Sequence, residues 1–120
     1  MTGAQRRWRV RLAAAAERDF ESIIAWTIEH FGEAQSIAYA ETIGLAIEAL
    51  AEGPSIPGAH DRDDILKGLR SLHVARQDRK GRHFVMFRVA RGSTDVIEVL
   101  RLLHDSMDLP RHFSHDADKR

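Results

Sequence analysis

The segment Val96–Leu103 most constrains the fold of this chain, because it is apolar on both faces of an extended strand. The two alternating sets are Ile97, Val99 and Leu103 on one face and Val96, Leu100 and Leu102 on the other. Since successive side chains of a strand point to opposite faces, both faces must be covered. Glu98 and Arg101 are then charges within an apolar strand, which is costly unless they are paired or functional. The strand must end at His104, and Pro110 limits any helix that follows.

Length and composition indicate one domain in a reducing compartment. The chain has 120 residues, enough to bury a core without covalent staples. It contains no cysteine, which excludes disulfides and thiolate metal sites and favours the cytoplasm. No apolar run approaches the roughly 20 residues of a membrane span, and the N-terminus lacks the apolar core of a signal peptide. We therefore expect a cytoplasmic protein without membrane contact.

The net charge of zero hides two segments of opposite charge. Residues 12–53 hold eight acids and one base, whereas residues 67–91 hold eight bases and one acid. Part of this pattern suits attraction between two layers of one domain. The rest predicts a basic surface for an acidic partner, either a protein or a phosphate backbone. The balanced total argues against a dedicated nucleic-acid-binding protein, which is usually basic overall.

The first half of the chain predicts one strand and two helices. Arg7–Leu12 alternates apolar residues with arginines, as a half-buried strand does. Helices follow over Ala13–Phe31, ended by Gly32, and over Glu33–Glu52, ended by Gly53. Their predicted buried stripes are Phe20, Ile23, Ile24, Thr27 and Phe31 in the first, and Ala38, Ile43, Ala46, Ile47 and Leu50 in the second. Since hardly any residue separates the helices, they must form an antiparallel hairpin.

The second half predicts an antiparallel meander. Gly68–Arg76, Arg82–Ala90 and the strand that begins at Val96 are joined by short turns, and the first strand can add to the edge. We predict an α+β fold in which an N-terminal strand and an antiparallel helix hairpin pack on a three- to four-stranded antiparallel sheet. The predicted single domain covers residues 7–113, and residues 114–120 form a short polar tail.

Three segments of the second half carry a family resemblance: GLRSLHVAR (Gly68–Arg76), GRHFVMFRV (Gly81–Val89) and VIEVLRLLHDSMDLPRHF (Val96–Phe113). With the strand and helix hairpin before them, they resemble the ParE toxins of the RelE/ParE superfamily, also called plasmid stabilisation proteins. The resemblance implies the toxin of a bacterial type II toxin–antitoxin system, with a cognate antitoxin as partner and contact with DNA only through that antitoxin. ParE-like toxins poison DNA gyrase, whereas RelE-like relatives cleave mRNA on the ribosome. A shared fold does not choose between these targets.

The residues themselves bear on that choice. A ribonuclease needs a base for the 2′-hydroxyl proton, an acid for the leaving oxygen and cations for the phosphorane charge. The candidates are His83 and His104 as acid–base groups, with Arg88 and Arg101 among the phosphate clamps. The ribonuclease branch often uses a tyrosine near its C-terminal end, whereas the only tyrosine here is Tyr39 in the second helix. We therefore predict a non-catalytic inhibitor of gyrase, with a ribosome-dependent mRNA endoribonuclease as the alternative.

The predicted target-binding surface combines the last strand and its tail with basic residues of the meander, because charge is concentrated there on short or apolar elements. It consists of Arg70, Arg76, Arg88, Arg101, His104, Asp108, Arg111 and His112. The structural alternative for Arg88 and Arg101 is pairing with Glu98 or with acids of the helices.

For the antitoxin we expect an apolar groove that takes a helix, with the acidic helices as one candidate wall. No cofactor or metal site is expected. Besides the gyrase inhibitor and the ribonuclease, a third class of function is a protein that keeps the fold but has lost the toxicity.

Overall fold

The computed structural model describes the backbone of residues 7–118 and the side chains of residues 7–113. Over these residues the chain forms five strands and three α-helices. The strands are β1 (Arg9–Leu12), β2 (Ala59–Asp61), β3 (Arg70–His73), β4 (His83–Val89) and β5 (Val96–His104). The helices are α1 (Ala14–Phe31), α2 (Glu33–Ala49) and α3 (Leu109–Asp118), with a 3-10 turn over Leu50–Glu52 after α2. The predicted α+β class is confirmed.

The five strands form one mixed sheet in the order β1-β5-β4-β3-β2. Strands β3, β4 and β5 are the predicted antiparallel meander, in which His83 pairs with His104. Strand β1 adds to the edge as predicted, but it runs parallel to β5, with Arg9 beside Val96. The sheet thus differs from the predicted three- to four-stranded antiparallel sheet in the direction of β1 and in the presence of β2. Strand β2 has only three residues within a loop, too few to show a period of two.

Helices α1 and α2 form the predicted antiparallel hairpin, joined through Gly32 alone. Gly32 has a φ of 92°, which glycine adopts with little strain, and its N–H donates to Ile28 O at 2.9 Å. Helix α2 ends at Ala49, earlier than predicted, because the chain tightens into the 3-10 turn. The predicted buried stripe of α1 ends before Phe31, whose side chain is 64% exposed at the tip of the hairpin.

Apolar residues form a core on each face of the sheet. The larger core packs the hairpin against the sheet and contains Ile43, Leu72, Phe87 and Val99. The smaller core packs α3 and the loop before β3 against the opposite face, through Leu69, Met86, Leu103, Leu109 and Phe113. Strand β5 is therefore covered on both faces, as its apolar pattern requires.

A β-bulge in β5 changes the predicted division of its side chains between the two faces. The register shifts opposite Met86 and Phe87, which pair with Arg101 and Val99 and leave Leu100 as the extra residue. After the bulge, Leu102 lies in the larger core and Leu103 in the smaller one. Strict alternation had predicted the reverse, because a sequence read with a period of two cannot show an inserted residue.

Helix α3 occupies the place of the predicted polar tail. It begins at Leu109 and runs through residue 118, while residues 119 and 120 of the predicted tail lie outside the described residues. Pro110 is the second residue of this helix, where the missing N–H removes no intrahelical hydrogen bond. Leu109 and Phe113 are 7% and 4% exposed. The predicted boundary after Phe113 therefore falls inside a helix, because two buried apolar residues dock its first turns.

Candidate functional site

A groove of about 850 Å³ lies between the helix hairpin and the end of the sheet where β4 begins and β5 ends. Its apolar wall includes Ile23, and also Trp26, Phe31 and Met107, which are 53%, 64% and 43% exposed. Its polar end is lined by Tyr39, Lys80, Arg82, His83, His104 and Ser106. Ligand sites in proteins have this size, roughly 300–1,000 Å³, and combine an apolar body with a few polar groups. This groove is the candidate functional site.

Tyr39 links the hairpin to the sheet at the polar end of the groove. Its Oη lies 2.6 Å from Nδ1 of His83 on β4 and accepts a hydrogen bond from Arg82 N at 3.0 Å. Gly81 allows this close approach, because a Cβ there would overlap Val74 and lie 2.9 Å from Tyr39 Cε1. Burial raises the pKa of the Tyr39 phenol, so the hydroxyl stays protonated at neutral pH.

His83 and His104 meet across β4 and β5, with ring centroids 5.1 Å apart and planes at 84°. Burial first, and the neighbouring His104 second, lower the pKa of His83 to about 4. His83 is therefore neutral at pH 7. His104 Nδ1 accepts a hydrogen bond from Ser106 N at 3.1 Å, an arrangement that fits a histidine at a strand end. The pair can exchange hydrogen bonds with a ligand, but His83 is a weak base for proton abstraction at neutral pH.

Asp105 ties the end of β5 to two neighbouring strands. Arg82 donates to its Oδ1 from Nε at 3.0 Å and from Nη2 at 2.9 Å. The His73 Nε2–Oδ2 distance is 2.9 Å, and because Ala75 N donates to Nδ1 of the same ring, Nε2 carries the proton. The bonds from Arg82, and then from His73, hold the pKa of Asp105 below its usual range. The polar end of the groove is therefore held together by α2, β3, β4 and the end of β5.

Comparison with protein families decides the class of this chain. The model of a family described as the ParE toxin of the type II toxin–antitoxin system parDE matches residues 10–109. The chain belongs to the ParE toxin family. The resemblance expected from the sequence is confirmed, and the match covers the helix hairpin and all five strands except Arg9, the first residue of β1.

Two solved structures are similar in fold to this ParE family member. The chromosomal ParDE toxin–antitoxin system from P. aeruginosa matches with a TM-score of 0.65 at 16% identity, covering 83% of this chain and 98% of that chain. The toxin–antitoxin complex RelBE2 from Mycobacterium tuberculosis matches with a TM-score of 0.54 at 19% identity, covering 84% of this chain and 94% of that chain. A comparison with curated proteins gave no match.

Arg101 of this ParE family member is bound to a carboxylate of the hairpin. Its Nε and Nη2 donate to the Oδ2 and Oδ1 atoms of Asp19 at 2.8 and 2.9 Å. Asp19 Oδ2 also accepts a hydrogen bond from Leu102 N at 2.9 Å. Since β1 pairs with β5 only as far as Val99, Asp19 takes the place of a strand partner for the far end of β5. The structural alternative for Arg101 is thus observed, and its predicted contact with a target stays a prediction.

Arg88 and Arg70 are also engaged within the fold. Arg88 Nη2 lies 3.9 Å from Glu98 Oε1, and Arg11 Nε lies 3.7 Å from Oε2 of the same carboxylate. The Arg88 Nε atom is buried and has no hydrogen-bond partner within the described residues. Arg70 Nε donates to Pro54 O at 2.8 Å. Neither guanidinium lines the groove.

The remaining predicted target-binding residues lie outside the groove, with the exception of His104. Arg76 is half-buried in the connection after β3. Asp108 and Arg111 are exposed at the start of α3, where Arg111 N donates to Asp108 O at 3.2 Å, and His112 is half-buried beside them. The structure therefore divides the predicted set between a groove end, a turn and the first turn of α3.

Sequence reasoning missed the two hairpin residues that bond to the sheet. Tyr39 lies inside the second helix, far from the C-terminal end, but it precedes Ile43 and Ala46 at the spacing of the buried stripe. Asp19 likewise precedes Ile23 by four residues, which places a carboxylate on the buried face of α1. A polar residue spaced like the buried apolar residues of its helix could have indicated these contacts, because a polar group is buried only when it has a bonding partner.

Over the described residues, no group of three or more His, Asp or Glu side chains has an arrangement that holds a metal ion. The same part of the chain contains no helix that is long and apolar enough to cross a bilayer.

Proposed function

We propose that this toxin stops growth in the cytoplasm by binding and poisoning DNA gyrase, without catalysing a reaction, and that a cognate antitoxin neutralises it. The observation that carries the proposal is the ParE family match over residues 10–109. Gyrase is the target that resemblance to ParE toxins implies. The fold alone would not carry it, since function resides in the site rather than in the fold. Contact with operator DNA would be indirect, through the antitoxin.

The dispersal of the ribonuclease candidates supports a non-catalytic toxin. Arg88 lies five residues from His83 along β4, about 16 Å away at the usual rise of a strand. Arg101 would have to leave Asp19 to reach a phosphate held at the two histidines. A His83 pKa of about 4 is also far from the value near operating pH that an efficient general base has.

The first turn of α3 is the part of the predicted target-binding surface that is most accessible. Arg111 is exposed and forms no ion pair within the described residues, and it lies beside exposed Asp108. We propose that Arg111 contacts the target, with Arg76 and His104 as further contacts. Arg70, Arg88 and Arg101 would act by holding the sheet and the hairpin in place, because their guanidinium groups are already engaged by other parts of the fold.

A supercoiling assay with purified gyrase tests the proposal. The wild-type chain should inhibit supercoiling and give a cleaved-DNA product, and Arg111→Glu should inhibit about tenfold less, because a contact charge is reversed. Arg18→Glu is the matched control, since Arg18 is exposed on α1 and outside the predicted surface. Full inhibition by folded Arg111→Glu would contradict the assigned contact, and normal supercoiling with the wild-type chain would contradict the gyrase target.

A ribosome-dependent ribonuclease is the second candidate function, and the Tyr39–His83 hydrogen bond favours it. The sequence argument against a nuclease was the placement of its one tyrosine inside α2, yet Tyr39 Oη lies 2.6 Å from His83 and beside the groove. Lys80 and Arg82 line the same end and could meet a phosphate.

Induced expression with an SOS reporter separates the two functions. DNA-damage signalling selects gyrase, translation arrest without it selects mRNA cleavage, and normal growth selects a relative that has lost its target. If cleavage occurs, mapping of new mRNA 5′ ends should show discrete cuts that disappear with Tyr39→Phe and His83→Gln. If the cuts persist in both variants, Tyr39 and His83 in the groove take no part in the cleavage.

A further inference from the structure

Among the described residues, no carboxylate lines the groove, although the helices that form one side of it are strongly acidic. Residues 12–53 hold eight acids and one base, but the charged side chains that line the groove are Lys80 and Arg82. Arg82 is bonded to Asp105. Lys80 is exposed and forms no ion pair within the described part of the chain. The groove is therefore an apolar surface with a positive end.

We propose that this groove binds an apolar segment of the antitoxin, and that Lys80 and His104 recognise a carboxylate of that segment. The inference rests on the proposed pairing with an antitoxin and adds the site and its chemistry. The hairpin forms one wall through its apolar and aromatic residues, Ile23, Trp26 and Phe31, rather than through its acids. A basic segment would place like charge against Lys80, which disfavours it.

Trp26 is the anchor that this arrangement provides. Its ring stacks on His30 with centroids 4.1 Å apart and planes at 21°, and His30 Nδ1 lies 2.9 Å from Trp26 O. The indole is 53% exposed on the wall of the groove. A large aromatic surface that is already held in place loses little conformational freedom on binding, as is typical of residues that dominate interface energies.

Overlapping peptides that cover the antitoxin encoded beside the toxin test the inference by titration calorimetry. The peptide that binds should carry large apolar residues and at least one Asp or Glu. Trp26→Ala should weaken its binding about 30-fold or more, the range of a dominant interface residue. Lys80→Gln should weaken it roughly three- to tenfold and reduce its dependence on salt. Replacing the peptide carboxylate by an amide should have little further effect in Lys80→Gln, because the two groups form one contact.

Two matched controls keep the test specific. Ile28 is 47% exposed on α1 and Lys67 is exposed before β3, and neither lines the groove, so Ile28→Ala and Lys67→Gln should bind like the wild-type chain. Urea unfolding of each variant confirms that it is folded.

Three results would overturn the inference while the toxin–antitoxin pairing stood. These are equal binding by Trp26→Ala and Ile28→Ala, a bound peptide without a carboxylate, and additive effects of Lys80→Gln and the peptide amide. In each case the intact antitoxin would still bind and neutralise the wild-type chain. If the wild-type chain bound no part of the antitoxin, the proposed toxin–antitoxin pairing would be contradicted, and this inference would fail with it.

Discussion

Replacing Asp19 by Asn should destabilise the fold, because Asp19 fastens α1 to the far end of β5, on the side where β1 no longer pairs with it. The carboxylate accepts two hydrogen bonds from Arg101 and one from Leu102 N, all between 2.8 and 2.9 Å. The Asp19 and Arg101 side chains are 16% and 24% exposed, so solvent screens the pair only in part. The side-chain oxygen of Asn can still accept from Leu102 N, but the charge and one acceptor for Arg101 are lost.

The expected loss is about 2–3 kcal/mol in the free energy of unfolding. Breaking a buried ion pair by removing one partner destabilises by roughly 3–5 kcal/mol, and the partial exposure and retained hydrogen bond reduce that value here. With a urea m-value of about 1–3 kcal/mol/M, the midpoint should move by roughly 0.7–3 M at unchanged slope. Glu17→Gln, an exposed acid on the same helix, is the control and should stay within about 0.5 kcal/mol.

A double-mutant cycle with Arg101→Met tests the reasoning, since the pair should couple by at least about 1 kcal/mol. An Asp19→Asn midpoint equal to that of Glu17→Gln would refute the structural account of the pair. Toxicity separates the two roles of Arg101. If Arg101 acts only through the fold, Arg101→Met and Asp19→Asn should lose toxicity in proportion to lost stability. If Arg101→Met alone loses toxicity while the two variants are equally stable, Arg101 instead contacts the target.

Two further predictions concern the polar end of the groove. Gly81→Ala should lower the free energy of unfolding by about 1–3 kcal/mol in urea, because the new methyl group overlaps Val74 and displaces Tyr39, whereas Gly44→Ala, with nothing within 4 Å, should not destabilise. Stability should fall as the pH drops from about 6.5 towards 4, since the folded-state pKa of His83 is about 4 and the unfolded chain binds the proton first. The loss should reach about 1–2 kcal/mol after allowance for partial exposure, and His83→Gln should remove it, as urea midpoints measured across this range would show.

The sequence predicted those elements whose signal is local. The two-sided apolar pattern of β5, the helical spacing of α1 and α2 and the single Gly32 between them each depend on neighbours in the chain. Three features could not be predicted from the sequence, because they depend on contacts between residues far apart in the chain. Strand β2 exists only by pairing with β3, β1 takes its direction from β5, and the first turns of α3 are held by the smaller core. The bulge at Leu100 likewise appears only when β4 is laid beside β5.

The site was harder to predict than the fold, because its bonds join positions far apart in the chain. Arg101 and Asp19 are 82 residues apart, and Tyr39 and His83 are 44 apart. The types of these residues allowed either a structural or a functional role, and only the docking of the hairpin on the sheet decided which atoms meet. The predicted charged terminal strand does end at the candidate groove, which His104 lines, but its role in target binding stays a prediction. Its charge alone did not assign roles, because Arg101 is bound by Asp19.

The polar anchors of the hairpin also explain why the groove exists in the free protein. Asp19 fastens α1 to β5, Tyr39 fastens α2 to β4, and Arg79 on the β3–β4 connection donates to Glu41 at 2.8 Å. These contacts fix the position of the hairpin on the sheet, and we expect them to keep the two walls of the groove apart. A groove held open in this way exposes Trp26 and Phe31 at a cost in hydration, which a partner that covers them recovers without reorganising the toxin. The same bonds that stabilise the hairpin therefore prepare the surface on which a neutralising partner is expected to bind.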